Sequence, residues 1–254
     1  MYICGTSINI YIQNIIYLIL FSALAGTYIS KKFVIKQSVC YLITVINVLL
    51  LFSSFIFNGM SGVHRWVNIG PIALNIAFIA VPILLICIYI FSNSGHLQTC
   101  YSLILSIAVI LFLQPDASML TAFFMALIPF YRSNRNKFWK YSWILLLILS
   151  GVSWIKTDTL EPVSYVEDIL IIAINISWGY LLCFLFSFGV LLWPFFKRNN
   201  CKQYREISTS LGLFFLCLIV STLFGNFPVP LIGYGISPII GYLASVSYVE
   251  KNRT

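Results

Sequence analysis

The side chains of this sequence that could do chemistry gather in four short stretches. The first, residues 58–70, carries Arg65 beside Trp66 among three glycines. Arginine is a fixed cation with a planar donor fork, suited to an anion such as a lipid pyrophosphate. An Arg-Trp pair can equally anchor a loop at a membrane interface. The second stretch is Gln114-Pro115-Asp116-Ala117, in which Asp116 stands at the start of an apolar run, where aspartate caps a helix well. The third, residues 157–168, holds Glu161, Glu167 and Asp168. Acids there complement a helix N-terminus. Asp168, however, abuts the apolar run Ile169-Leu170-Ile171-Ile172-Ala173. A carboxylate at that depth is costly without a partner or a use, and a general base is one such use. The fourth, residues 224–237, has prolines at 228 and 230 and glycines at 225, 233 and 235. Such backbone cannot form a plain helix. At membrane depth it persists only where protein or a wet cavity satisfies its polar groups.

The elements that position these stretches follow from composition. Of the 254 residues, 60% are hydrophobic and 9% charged, and mean hydropathy is +0.96. A soluble domain carries about 25% charged residues. The sequence therefore predicts an all-α, polytopic integral membrane bundle, one domain over 1–254, and argues against a nucleic-acid-binding role. A helical span needs about 20 apolar residues. Nine segments qualify: 8–29, 38–57, 71–92, 98–114, 117–131, 140–155, 168–193, 207–224 and 236–249, with a re-entrant segment before the last. The runs are continuous, unlike the alternating strands of a barrel. The first ends Ser22-Ala23-Leu24-Ala25-Gly26, as some signal peptides do, but it lacks a basic start and runs long, so it is expected to remain as a span.

Charge orients these spans. Lys31, Lys32, Lys36, Arg132, Arg135, Lys137, Lys140, Lys197, Arg198, Lys202, Arg205, Lys251 and Arg253 fall on one side. Only Arg65 and Lys156 fall on the other. The positive-inside rule makes the first side cytoplasmic, with the N-terminus outside and the C-terminus inside. The net charge of +8 is then a signature of topology, with a contribution from anionic membrane lipid. All four polar stretches lie outside. The seven cysteines show no metal-type spacing and no disulfide framework. No P-loop, GxGxxG, HExxH or paired CxxC is present.

The stretches together resemble the signatures of the SEDS family, the RodA/FtsW/SpoVE-type peptidoglycan polymerases. Pro228, Pro230, Leu231, Tyr234, Gly235 and Ser237 are similar to LPLPFxSYGGS before the last span. Gly62, Arg65, Trp66 and Gly70 resemble G-x-x-RW-x-x-x-G. Leu113-Gln114-Pro115-Asp116 resembles the start of QPDLGT. Leu160, Glu161 and Pro162, followed by Asp168 to Ala173 and then Gly179, resemble LPExxTDFIFA and the glycine beyond it. The four follow the family order across most of the chain. The departures are specific. One span fewer is present near the start, where the family has ten in all. Asn75-Ile76-Ala77-Phe78-Ile79-Ala80-Val81 stands where the family has QPSExxK, so its Glu and Lys are missing. The long outer segment between the QPD-led span and LPExxTD is reduced to one span and a short loop.

The resemblance implies a membrane glycosyltransferase of the bacterial cytoplasmic membrane, serving cell shape or division. It would polymerise lipid II, or a related undecaprenyl-linked sugar, at the outer face beside a class B penicillin-binding protein. The family's essential carboxylate falls on Asp168. Arg65, Trp66, Asp116, Pro228, Pro230, Tyr234, Gly235 and Ser237 fall on its substrate-binding motifs. An inverting transfer needs a base for the acceptor hydroxyl and a cation for the departing pyrophosphate. Asp168 and Arg65 fit those roles. The chemistry also admits a divalent cation at Asp116, although the sequence shows no metal-ligand cluster. Two other readings stay open. One is a catalytically inactive SEDS-like partner or scaffold. The other is a transporter or flippase of lipid-linked sugar, against which stand the absence of an inverted repeat and the clustering of polar residues at one face.

Overall fold

A computed structural model describes residues 8–31, 36–57, 59, 62–70, 72–133, 137–156, 166–167, 169–197, 202–231 and 235–253. The elements in order are α1 (Ile8–Ser30), α2 (Gln37–Ser53), β1 (Trp66–Ile69), β2 (Ile72–Asn75), α3 (Ile76–Asn93), α4 (Leu97–Leu113), α5 (Ala117–Ala126), α6 (Ile128–Ser133), α7 (Lys137–Ile155), α8 (Ile169–Ile176), α9 (Trp178–Phe196), α10 (Lys202–Ser221) and α11 (Ile236–Lys251). Each of the nine sequence-predicted spans coincides with one helix or one broken pair. The fifth divides into α5 and α6 around Leu127, and the seventh into α8 and α9 at Ser177. By length and composition, α1, α3, α9 and the 204–221 stretch of α10 can cross a membrane. Helices α2, α4 and the 139–155 stretch of α7 are shorter apolar helices. The chain is an all-α, multi-pass membrane protein.

The bundle is built around α3, α5, α10 and α11. Helix α10 packs on α5 and α11 on α3, while α2 lies on α3, α7 on α5, α1 on α11 and α9 on α10. Lipid tails are as apolar as leucine, so association inside a membrane depends on close packing and interhelical hydrogen bonds. Both are present. Ser210 Oγ donates to the Ala126 carbonyl at 2.6 Å, Ser208 Oγ to Phe195 at 2.7 Å and Tyr242 OH to Leu191 at 2.8 Å. Aromatic rings pack in the core, with Phe130 stacked on Trp139 and Phe195 on Phe215. Helix α11 comes close to the backbone of α3. Pro82 has no N–H, which frees the Phe78 carbonyl from its helical bond. A Cβ on Gly241 would stand 1.9 Å from that oxygen, so only glycine fits there.

Several boundaries differ from expectation, and α10 spans Lys202–Ser221 where 207–224 was expected. The second span ends at Ser53 instead of 57. The third was expected to be helical from 71, yet 72–75 is a strand, paired antiparallel with β1 so that Trp66 faces Asn75 and Ile69 faces Ile72. Gly70, at φ +60, begins the turn. The helix starts only where the Asn75 side chain accepts from Ala77 N at 3.1 Å. Ile72-Ala73-Leu74 is as apolar as the helix it precedes, and hydropathy alone merges the two.

Candidate functional site

Arg65 sits at the foot of the β1–β2 ribbon, aimed by a folded-back loop. A Cβ on Gly59 would meet the Val63 carbonyl at 2.7 Å, so glycine permits the tight return. His64 Nδ1 lies 3.2 Å from the Phe57 carbonyl, and its ring lies against Phe55. The Arg65 side chain then reaches the turn between α4 and α5. Its Nε lies 3.4 Å from Asp116 Oδ2, with both side chains only 4% exposed. Its Nη2 donates to the Pro115 carbonyl. A guanidinium so placed clasps one turn by carboxylate and backbone together.

Asp116 has a second duty on its other oxygen. Oδ1 accepts from Met119 N at 3.1 Å and from Ser118 Oγ at 2.9 Å, which caps α5. Both carboxylate oxygens therefore have protein partners. Gln114, fully buried, donates to the Leu51 carbonyl at 3.2 Å and to Ser54 Oγ at 2.7 Å, fixing the same turn to the end of α2. Among the described residues no three His, Cys, Asp or Glu side chains group as metal ligands.

Beside this turn lies a cavity of about 280 Å³. Pro115, Ala117, Trp154 and Lys156 line one wall, and residues 224–227 the other. Trp154 is held twice: its Nε1 donates to Thr121 Oγ1 at 2.9 Å, and its ring meets Phe227 edge-on at 5.4 Å. Thr121 also bonds Ser150 Oγ at 2.7 Å. Lys156 is exposed, with its ammonium 5.2 Å from the Phe112 ring centroid. Sequence reasoning counted Lys156 only toward topology. Its signal was available, as one of two basic residues expected on the less basic side, but nothing in the sequence brings it to Pro115.

The 222–231 stretch is free of helix, as the prolines require. Val229 N, between Pro228 and Pro230, donates to the Val166 carbonyl at 3.1 Å. This bond joins the last span's entry segment to the chain two residues before Asp168. Leu231 takes a left-handed φ of +64. Pro230 and Ser237 are buried, and Gly235 N reaches Asn14 Oδ1 on α1 at 3.4 Å. The β2 strand also touches α11. Trp66 is half-buried in β1. Arg65 and Asp116 thus meet directly, Pro115 shares a cavity with the start of the 224–237 stretch, and the middle of that stretch is bonded to Val166. Asp168 and Tyr234 lie outside the described residues, as do Leu160, Glu161 and Pro162.

No protein-family model matches the sequence, and no curated protein matches it. Solved structures do. Thermus thermophilus rod shape determining protein RodA superposes with a TM-score of 0.72 at 16% identity, over 97% of this chain and 89% of that one. A point variant of that protein gives a TM-score of 0.71 over 97% and 90%. A chain from a peptidoglycan synthase complex, described as coordinating polymerization and crosslinking, gives 0.67 at 15% identity, over 96% and 89%. The fold of this chain is that of RodA, the fold expected from its motifs.

Proposed function

We propose that this chain is a divergent SEDS protein of the bacterial cytoplasmic membrane, a peptidoglycan glycosyltransferase that polymerises lipid II at the outer face. The observation that carries the reading is the RodA fold over nearly the whole chain together with four family-like motifs in family order. The outer side is the end that bears Arg65, Asp116 and the 224–237 stretch.

In this reading Asp168 takes the proton from the acceptor hydroxyl. That oxygen attacks the anomeric carbon of the donor sugar, and undecaprenyl pyrophosphate leaves with the bonding pair. Arg65, committed to Asp116 and the Pro115 carbonyl, is a positioning residue for the α4–α5 turn. Lys156, facing the neighbouring cavity, is the cation best placed to meet pyrophosphate oxygens. Pro228, Pro230, Tyr234, Gly235 and Ser237 shape the segment that closes the site. A class B penicillin-binding protein would supply crosslinking, the activity that the structurally similar peptidoglycan synthase complex is described as coordinating with polymerization.

A second reading is a non-catalytic SEDS-like partner. It is favoured by the first turns of α3, where no acidic residue stands in the place of the family's Glu and Lys. Purified protein given fluorescent lipid II decides between them. Glycan ladders support the enzyme. Intact lipid II, with and without a class B penicillin-binding protein, supports the scaffold.

A further inference from the structure

The cavity beside the α4–α5 turn has an aromatic corner that the roles of Arg65, Asp168 and Lys156 leave unused. Trp154 stands in the last turn of α7, and Phe227 follows α10. Their rings cross at 79° with centroids 5.4 Å apart, and both line the cavity. Gly225 permits this placement, since a Cβ there would meet Phe227 Cε2 at 2.8 Å. Trp154 is half-buried, so part of the indole stays open to the space it lines.

A saturated hydrogen-bond set locks the indole. A threonine hydroxyl has one proton and two lone pairs. Thr121 Oγ1 donates its proton to the Ala117 carbonyl at 2.6 Å. Its lone pairs then accept from Trp154 Nε1 at 2.9 Å and from Ser150 Oγ at 2.7 Å. The Trp154 N–H is therefore committed inside the protein. What the indole offers to the cavity is carbon surface, a ring with a negative face and a positive edge.

Polar groups share the same space. Lys156 stands two residues beyond Trp154, and the exposed Asn226 precedes Phe227; both line the cavity. A phosphate alone would use Lys156 and leave the aromatic corner bare. An acyl chain would cover the rings and set hydrocarbon against the amide and the ammonium. A pyranose suits both, because it carries C–H groups on its faces and hydroxyls around its rim. The cavity, about 280 Å³, has room for roughly nine water-sized groups at about 30 Å³ each, enough for one such ring.

We propose that Trp154 is the platform for the sugar ring joined directly to the pyrophosphate of the donor lipid. Phe227 closes the corner, and Thr121 and Ser150 are positioning residues that hold the indole. Covalent geometry makes the link. That ring bonds the pyrophosphate through its anomeric carbon, so a pyrophosphate at Lys156 brings the ring to Trp154. Asn226 meets the polar rim. The inference rests on the reading of this chain as a SEDS protein that takes lipid II, and it gives Trp154 and Thr121 duties which that reading does not contain.

Equilibrium binding tests this without turnover. The full chain in detergent is titrated with undecaprenyl pyrophosphate and with the same lipid bearing one N-acetylhexosamine, and affinities are read by native mass spectrometry. The native chain should bind the glycosylated lipid about three- to tenfold more tightly, the worth of one aromatic contact. Trp154→Leu should erase that preference and leave the affinity for undecaprenyl pyrophosphate as it was. Trp154→Phe, which keeps an aromatic face, should retain most of the preference. Thr121→Val, which releases the indole, should lower it, and carries the test if Trp154→Leu does not fold. Equal affinities of the native chain for the two lipids, equal losses for both in Trp154→Leu, or an undiminished preference in that variant would overturn the platform and leave the lipid II reading standing. A native chain that binds neither lipid would overturn both.

Discussion

The contact between Arg65 and Asp116 binds residues that stand 51 positions apart. Their place in short polar stretches between apolar runs was readable from the sequence. Their pairing was not, because it depends on how a ribbon and a turn are placed by tertiary packing. Asp116 was readable as a helix cap, and it is one. Its carboxylate also neutralises a buried guanidinium, a role for which helix capping has no signal. Arg65→Ala should cost about 3–5 kcal/mol, since it strands a buried charge. Asn caps about as well as Asp, so the damage from Asp116→Asn should come from the lost ion pair. The double variant Arg65→Ala with Asp116→Asn should then be more stable than Arg65→Ala alone, because no charge is left stranded. Thermal unfolding of the three variants in one detergent measures this. Additive losses in the cycle would show that the pair is not coupled.

At the scale of elements, apolar run length identified the spans because a membrane demands it. The same signal missed the ribbon, where Ile72-Ala73-Leu74 continues into α3 without a change in hydropathy. The Gly70-Pro71 pair was the turn signal that could have exposed it. It also missed the seat of α11 on α3. Pro82 and Gly241 each look like a helix defect in isolation. Together they make one contact, in which glycine approaches the carbonyl that proline leaves free. Gly241→Ala should therefore destabilise the bundle by about 1–3 kcal/mol, the usual cost of overpacking, and more if α11 cannot shift. A melting temperature equal to that of the native chain would mean that α11 can slide away from Phe78.

The whole molecule is a RodA-type bundle, and its class was readable because few charged residues cannot cover so much apolar surface. Its orientation rests on charge asymmetry alone. Reporter fusions after Lys36, Lys140 and Lys202 should all read cytoplasmic, and an external signal at any of them would invert or break the topology. Catalysis is read from the initial rate of lipid II polymerisation by purified native chain, Asp168→Asn and Glu167→Gln. Asn would serve equally well if Asp168 only capped the following helix, whereas a lost general base costs roughly 10²–10⁴-fold. Asp168→Asn should show that loss, with its insertion and melt unchanged, and Glu167→Gln should keep a rate within a few fold of native. Glycan ladders made equally well by Asp168→Asn would contradict the general-base role.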